Sequence, residues 1–260
     1  MATYLDRILS THRDAARHDA RSLDQLIDQA RQMPATRGFR AALRQPGHIS
    51  VIAEVKRRSP SKGDLFADLD PATLAATYQG AGAACISVLT DEEYFGGSVA
   101  DLQAARNAIT LPVIRKDFTV DARDVCDARL MGADCVLLIA AALDDSELAD
   151  FSCLAYELGL DVLVEVHDEA ELERAVVSTK ADLIGVNQRD LVSFEVDTDR
   201  AVRVAAQIPA SSVKVAESGV SSVQAAQRLA AAGYDALLVG EYLVTSQNLD
   251  SALRGLQVAT

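Results

Sequence analysis

The sequence predicts an α/β protein of the (β/α)8 TIM-barrel class, with a helical extension at residues 1–48 packed on a barrel at residues 49–260. The main observation is a regular alternation of short apolar segments with helical stretches. The eight apolar segments are 49–56, 83–89, 112–116, 134–139, 161–166, 182–187, 213–217 and 235–240. Near-continuous apolar strands indicate a parallel sheet covered by helices, and eight such units close into a barrel of ordinary length. A doubly wound open sheet is the alternative, but it does not require eight strands.

Start and stop signals support each repeated unit. Side chains that cap helix N-termini follow most of the apolar segments, at Asp70-Pro71, Asp121, Asp144, His167-Asp168, Asp197 and Ser221-Ser222. Three helices are expected to end in a glycine that leads through a short loop into the next strand, at Gly132, Gly159 and Gly233.

The first 48 residues show helical spacing of apolar side chains before the first strand. The pattern predicts one or two amphipathic helices, which end near Met33-Pro34, and a further short helix that stops before Pro46-Gly47. Two positions are open for this extension, because it could cover the bottom or side of the barrel or form a flap over a ligand. We favour the bottom or side.

Charge and composition exclude several classes of function. The formal net charge of −13 argues against non-specific nucleic-acid binding and against anionic membranes. Positive charge is nevertheless concentrated at Lys56, Arg57, Arg58 and Lys62, where an anion could bind. The sequence shows neither a signal peptide nor an 18-residue apolar run, so we expect a soluble protein that is not exported.

The four cysteines show neither a CxxC motif nor the spacing of a metal site. We therefore expect no metal and no disulfide, and we expect Cys85, Cys126, Cys135 and Cys153 to be reduced core or helix residues of a cytoplasmic protein.

Polar residues stand at the carboxyl ends of nearly all predicted strands, where the loops of a barrel build its active site. They are Glu54, Lys56, Thr90, Lys116, Glu165, Asn187, Glu217 and Ser218. Singly, each residue is explained as a cap or an ion-pair partner, and a Glu-x-Lys pair alone is usually structural. Two lysines, three glutamates and an asparagine at one opening would, however, be costly to desolvate without a ligand. We therefore favour a functional site.

The last two units add a phosphate-binding pattern. Ser218 and Gly219 follow the seventh strand, and Gly240 and Glu241 follow the eighth, where barrels commonly hold a phosphate on loop amides. Ser59 and Arg189 are candidates to complete this site from other loops. The Glu241 carboxylate would repel a phosphate unless only its backbone amide is used.

Seven motifs, one after another along the chain, resemble those of the indole-3-glycerol-phosphate synthase family. They are IAEVKRRSPSKG (52–63), ISVLTDEEYFGGS (86–98), LPVIRKDF (111–118), LVEVHDE (163–169), IGVNQRDL (184–191), VAESGV (215–220) and LLVGEYLV (237–244). The resemblance spans residues 5 to about 255. It implies ring closure of a small phosphorylated substrate, 1-(2-carboxyphenylamino)-1-deoxyribulose 5-phosphate, with loss of carbon dioxide and water. We expect no cofactor, because the substrate supplies its own leaving groups, and a monomer or weak homo-oligomer.

The resemblance also implies roles for individual residues. Lys116 matches the general acid of the condensation and Glu165 the carboxylate that assists dehydration. Lys56 matches the lysine that grips the substrate carboxylate or shares proton transfer, and Glu54 its hydrogen-bonding partner. Which lysine acts in which step is left open.

Further positions complete the implied site. Asn187 and Glu217 match residues that orient the substrate hydroxyls and the lysines. Phe95, Leu137 and Leu191 match an apolar slot for the anthranilate ring, although Leu137 is equally well explained as core. Neighbouring cations would lower the pKa of a lysine and neighbouring carboxylates would raise it. His167, two residues after Glu165, is interpreted as a helix cap.

Two other functions are consistent with parts of the pattern. A related phosphate-binding barrel, such as a phosphoribosyl isomerase or a tryptophan synthase α-type lyase, would share the last two units but lack the Glu-x-Lys and RKDF pair. A non-catalytic barrel that serves as a binding partner is the other. The intact set of charged strand-end residues argues against it.

Overall fold

The computed structural model describes residues 3–59, 63–66, 68–190 and 192–260, and these residues form a closed barrel of eight parallel strands. The strands are β1 Ser50–Val55, β2 Cys85–Leu89, β3 Val113–Lys116, β4 Cys135–Ile139, β5 Asp161–Val166, β6 Leu183–Asn187, β7 Val213–Glu217 and β8 Ala236–Val239. Each strand pairs with the next along the chain, and β8 pairs with β1. The predicted (β/α)8 barrel is confirmed.

Helices surround the barrel and lie in the extension before it. They are α1 Tyr4–His18, α2 Leu23–Arg31, α3 Phe39–Ala42, α4 Pro71–Gly80, α5 Glu92–Phe95, α6 Val99–Ala108, α7 Ala122–Met131, α8 Asp145–Glu157, α9 Glu169–Ser178, α10 Arg200–Ala205, α11 Val223–Ala231, α12 Glu241–Val244 and α13 Leu249–Leu256. A short hairpin pairs Arg58–Ser59 with Gly63–Asp64 after β1. None of the described helices is long and apolar enough to cross a membrane.

The local signals explain most helix boundaries. Asp70 caps α4 with a proline at the first helical position, and Asp121 and Asp144 form capping boxes at α7 and α8. Two predicted caps are wrong. Asp199, and not Asp197, precedes α10, and Asp168 alone caps α9, so His167 is not a cap.

The stop signals and the cysteines follow the sequence-based expectations. Gly132, Gly159 and Gly233 all have positive φ angles, which a residue with a Cβ atom rarely adopts.

All four cysteines are free. Cys153 is exposed on α8, and the other three are buried.

The end of the extension that precedes β1 packs at the bottom of the barrel, where the strands begin. The Phe39 carbonyl of α3 accepts a hydrogen bond from the Cys85 thiol at the start of β2, and the Arg40 amide donates to Asp161 at the start of β5. This part agrees with the bottom-or-side position that the sequence favours.

Helix α1 differs from that expectation, because it lies across the loops at the opposite end of the barrel. Thr11 contacts the Tyr94 hydroxyl at 2.8 Å, and Arg13 donates to Glu147 at 2.7 Å. The Tyr4 ring packs edge-on against Phe194, with 5.2 Å between centroids. The extension therefore reaches both ends of the barrel, and its first helix is held over the loops that follow β2, β4 and β6.

Candidate active site

The carboxyl ends of the strands enclose a cavity of about 620 Å³. Fourteen of the predicted site residues line it: Glu54, Lys56, Ser59, Phe95, Lys116, Leu137, Glu165, Asn187, Arg189, Glu217, Ser218, Gly219, Gly240 and Glu241. Leu191 lies outside the described residues, so its place in the site stays a prediction. Thr90 does not line the cavity. Its hydroxyl donates to Asp117.

Lys116 stands at the end of β3 and is surrounded by carboxylates. Its Nζ lies 2.9 Å from Glu165 Oε2 and 3.4 Å from Glu217 Oε2, and only 14% of the side chain is exposed. Burial opposes the positive charge, but Glu165, Glu217 and Glu54 outweigh it and raise the pKa of Lys116 above its usual range. Lys116 is therefore an ammonium group before any ligand binds, and it lines the cavity.

Glu165, on β5, is held at both carboxylate oxygens. Oε2 contacts Lys116, and Oε1 accepts a hydrogen bond of 3.0 Å from Asn187 Nδ2. The other end of the Asn187 amide accepts from the Arg189 backbone N–H, which fixes the orientation of the amide. Burial favours the neutral acid, but the charges of Lys116 and His167 and the hydrogen bond from Asn187 lower the pKa of Glu165. Glu165 is therefore ionised.

The pKa of Glu217, on β7, is shifted in the opposite direction to that of Glu165. Burial and the neighbouring Glu165 carboxylate raise the pKa of Glu217, and Lys116 only partly offsets them. Glu217 Oε1 has no hydrogen-bond partner among the described residues. A Cβ atom added to Gly185 would lie 2.1 Å from this oxygen. The glycine on β6 thus leaves the space that the carboxylate occupies.

Glu54 and Lys56 form a second charged pair at the end of β1. The Lys56 ammonium lies 2.5 Å from Glu54 Oε1, as the two-residue alternation of a strand predicts. A Cβ atom on Gly240 would lie 2.5 Å from the same oxygen. The absence of a side chain at Gly240 therefore leaves room for Glu54, in addition to any role in a phosphate site.

The loops after β7 and β8 form one wall of the cavity. Ser218 and Gly219 have φ angles of 64° and 71°, which is uncommon for the serine. The Ser218 carbonyl accepts from Gln188 Nε2 at 2.7 Å, and Val196 packs where a Gly219 side chain would stand. Glu241 begins α12 at the cavity wall. Specific contacts with Gln188 and Val196 therefore hold this turn.

The apolar wall includes aromatic residues that sequence reasoning missed. Phe118 and Phe194 line the cavity with Phe95 and Leu137, and the Phe95 and Phe118 ring centroids are 6.4 Å apart. Phe118 belongs to the RKDF motif two residues after Lys116, so its position in that loop was an available signal. Phe194 lies in the irregular loop after β6, where no periodicity indicates direction.

A cluster of His12, Asp91 and Asp117 lies where α1 meets the cavity rim, with ligand atoms close enough together for a metal ion. His12 Nε2 is 2.8 Å from Asp91 Oδ2, and the other Asp91 oxygen accepts from the Tyr94 and Phe95 amides. Both Asp117 oxygens also accept hydrogen bonds within the protein. Because these oxygens already have partners, we interpret the cluster as the contact that holds α1 on the rim.

Together, the fold and this cavity define a TIM-barrel protein with two half-buried lysines and three buried glutamates gathered at the carboxyl ends of its strands. The family model for indole-3-glycerol phosphate synthase matches residues 5–256. The chain belongs to this family.

Similarity to individual proteins agrees with the family match. The indole-3-glycerol phosphate synthase of Paenarthrobacter aurescens (strain TC1) is 51% identical over 228 residues, covering 86% of this chain and 84% of the relative. The protein of that name from Polaromonas sp. (strain JS666 / ATCC BAA-500) is 45% identical over 258 residues, or 97% of each chain. Thiamine phosphate pyrophosphorylase from Pyrococcus furiosus superposes with a TM-score of 0.59 at 15% identity, covering 80% of this chain and 93% of that one, which shows the shared fold alone.

Proposed function

We propose that the protein is an indole-3-glycerol-phosphate synthase, a carboxy-lyase of tryptophan biosynthesis. It closes the ring of 1-(2-carboxyphenylamino)-1-deoxyribulose 5-phosphate and releases carbon dioxide and water. The observation that carries the proposal is the contact of Lys116 Nζ with Glu165 and Glu217 inside the cavity that also holds the Glu54–Lys56 pair. One acid, one ionised carboxylate and a second cation are the groups that this reaction needs.

Lys116 is the general acid of the ring closure. As the aromatic carbon attacks the ketone, negative charge develops on the ketone oxygen, and the Lys116 ammonium donates a proton to it. The raised pKa of Lys116 keeps the ammonium charged at neutral pH, while the developing alkoxide is basic enough to take the proton. General acid catalysis of this kind contributes about 10²- to 10⁴-fold.

Lys56 holds the substrate carboxylate until it leaves as carbon dioxide. Its side chain is 18% exposed in the cavity, and Glu54, paired with it, sets the position of the ammonium group. A fixed cation next to the carboxylate orients the aromatic ring for attack on the ketone, and positioning of this kind makes a large contribution to rate.

Glu165 assists the dehydration that completes the pyrrole ring. The Glu165 carboxylate takes up a proton from the condensed ring, while the hydroxyl group leaves as water with a proton donated by the Lys56 ammonium group, which lines the same cavity. Starting from the substrate carboxylate, release of carbon dioxide and water consumes one proton overall. Asn187 and Glu217 orient Glu165 and Lys116, respectively, for these transfers.

The ends of the substrate are bound by different walls of the cavity. Backbone amides around Ser218, Gly219 and Gly240 hold the phosphate, with Ser59 and Arg189 as further donors. Phe95 and Leu137, with Leu191, accept the anthranilate ring. Glu241 contributes its backbone only, because its carboxylate would repel the phosphate.

The test is to add the carboxyphenylamino-deoxyribulose phosphate and follow indole fluorescence. We expect product with the unmodified protein, and a loss of about 10²- to 10⁴-fold in kcat for Lys116→Ala. The matched control is Lys180→Ala, which removes an exposed lysine that packs on the Tyr156 ring. No product from folded protein would overturn the function. Near-normal turnover by Lys116→Ala would overturn only the choice of acid.

The finer expectations need their own measurements. A cytoplasmic location and a monomeric or weakly oligomeric state stay predictions, and light scattering across a concentration series tests the second. Deleting residues 1–48 tests whether the extension is part of the folded unit, since α3 and α1 contact opposite ends of the barrel.

A further inference from the structure

The side chain of His167 is buried next to the ionised carboxylate and is not explained by the family resemblance. It follows β5 directly, and only 11% of the side chain is exposed. Its Nδ1 lies 3.0 Å from Glu171 Oε2, and the His167 backbone N–H donates to the same oxygen at 2.8 Å. Two contacts to one carboxylate oxygen fix the ring against the first turn of α9.

The other ring nitrogen is turned toward the active site. His167 Nε2 lies 3.6 Å from Glu165 Oε1, is buried, and has no hydrogen-bond partner among the described residues. Glu165 is thus approached from two sides, by Lys116 at Oε2 and by His167 with Asn187 at Oε1.

The surrounding charges decide which form of the ring fits this place. A neutral ring that donates from Nδ1 to Glu171 would direct the lone pair of Nε2 at the Glu165 carboxylate, which is repulsive. A doubly protonated ring presents an N–H to each carboxylate. Burial opposes the charge and Arg200 on α10 also opposes it, but Glu171 and Glu165 outweigh both and raise the pKa of His167.

We propose that His167 is a positioning residue that acts through Glu165. Its doubly protonated ring, held by Glu171, keeps Glu165 ionised and directed at Lys116. The inference rests on the proposed function of Glu165 in dehydration. It adds a reason why Glu165 is still ionised when the dehydration step begins.

In the proposed mechanism, the dehydration step comes after Lys116 has donated its proton. The lysine is then neutral, and the charge that stabilised the Glu165 carboxylate at Oε2 is gone. The imidazolium of His167 keeps both of its protons and still faces Oε1. Glu165 is therefore held as a base for the dehydration step without any proton being taken from the histidine.

The experiment combines NMR titration of the histidine C2–H resonances with pH profiles of turnover. His167→Gln identifies the resonance by its loss, Glu171→Gln removes the anchor, and Glu173→Gln is the matched control on the exposed face of α9. We expect the His167 pKa to lie above the ordinary 6.5, to fall in Glu171→Gln and to be unchanged in Glu173→Gln.

The pH profile of kcat measures the effect of His167 on the pKa of Glu165. Loss of a positive charge within about 4 Å should raise the pKa of Glu165 and shift the acid limb of kcat in His167→Gln upward by about one pH unit or more, while KM changes less than kcat. Far-UV CD and Tm establish that the variants are folded.

Three results would overturn the inference, and two of them come from NMR: a His167 pKa at or below 6.5 in the unmodified protein, or a resonance that does not respond to Glu171→Gln. An acid limb identical in His167→Gln and the unmodified enzyme would do the same. The NMR arm needs no substrate, so its outcome is separate from any failure of the proposed synthase activity.

Discussion

Replacing Gly185 by alanine tests whether the carboxylates of the cavity depend on space left by glycines. A Cβ atom at this position on β6 would lie 2.1 Å from Glu217 Oε1 and 3.2 Å from Leu163 Cδ1. Gly185 sits in the middle of β6 between two paired strands, so the backbone has little freedom to move away. The Glu217 carboxylate is the group that must shift.

The size of the effect follows from these distances. Ordinary contact begins near 3.4 Å, so the carboxylate oxygen must move by about 1.3 Å. The contact of 3.4 Å between Glu217 Oε2 and Lys116 Nζ would then be lost or distorted. Overpacking of this kind costs about 1–3 kcal/mol of folding stability, and a displacement of about 1 Å in a catalytic group costs about 10²-fold in turnover.

The assay compares Gly185→Ala with Gly80→Ala by thermal unfolding and by indole fluorescence. Gly80 ends α4, has an ordinary φ angle and has open space where its Cβ atom would stand, so the same chemical change should be nearly silent there. We expect a lower Tm and a large loss of kcat for Gly185→Ala only. Normal kcat together with normal Tm in Gly185→Ala would refute the argument that this glycine leaves space for Glu217.

Three further changes test the charges of the site. Because burial raises the folded pKa of Glu217 to about 8, its contribution to stability is fully present below about pH 4.5 and is lost as the pH rises to about 8. Glu217→Gln should therefore flatten the fall of Tm between about pH 4.5 and pH 8, and an unchanged slope contradicts this. The pKa of His12 is raised by Asp91 and Asp117 against the effect of burial, so its stabilisation is present below pH 6.5 and lost as the pH rises through the folded value. His12→Asn should therefore cost about 1–2 kcal/mol in chemical denaturation at pH 6 and less at pH 9, and an equal cost at both would exclude a charged contact. Glu241→Ser should lower KM about two- to fivefold by removing a carboxylate near the phosphate, whereas a higher KM would place a useful side-chain role there.

The barrel was predictable because its signals are local. An apolar strand, a capping side chain and a terminal glycine recur with each unit, and each is explained by backbone geometry within a few residues. The alternation that puts Glu54 and Lys56 on one side of β1 is equally local, and their ion pair confirms it. Where a cap was misplaced, at Asp197, acidic residues at alternate positions (Glu195, Asp197 and Asp199) offered equivalent starts, and the helix begins after Asp199.

Features that depend on neighbouring strands were not predictable. The sequence predicts Gly185 as part of an apolar strand and Gly240 as part of a phosphate-binding loop. In the structure, Gly185 faces the Glu217 carboxylate and Gly240 faces the Glu54 carboxylate, each from the adjacent strand. The position of α1 is another case, since its polar contacts with Asp91 and Glu147 join residues far apart in the sequence. His167 also belongs here, because the chain shows its proximity to Glu165 but not the burial of Nε2.

The charge of Lys116 shows why closure of the barrel, and not any motif, determines the chemistry. From sequence, nearby cations and nearby carboxylates were both available to set its pKa, in opposite directions. In the folded chain the lysine from β3 meets glutamates from β1, β5 and β7, and the carboxylates prevail over burial. A lysine with so high a pKa gives up its proton only to a strongly basic acceptor, and in the proposed mechanism the alkoxide formed in ring closure is that acceptor. On this proposal the raised pKa ties proton donation to the condensation step and keeps Lys116 protonated until then.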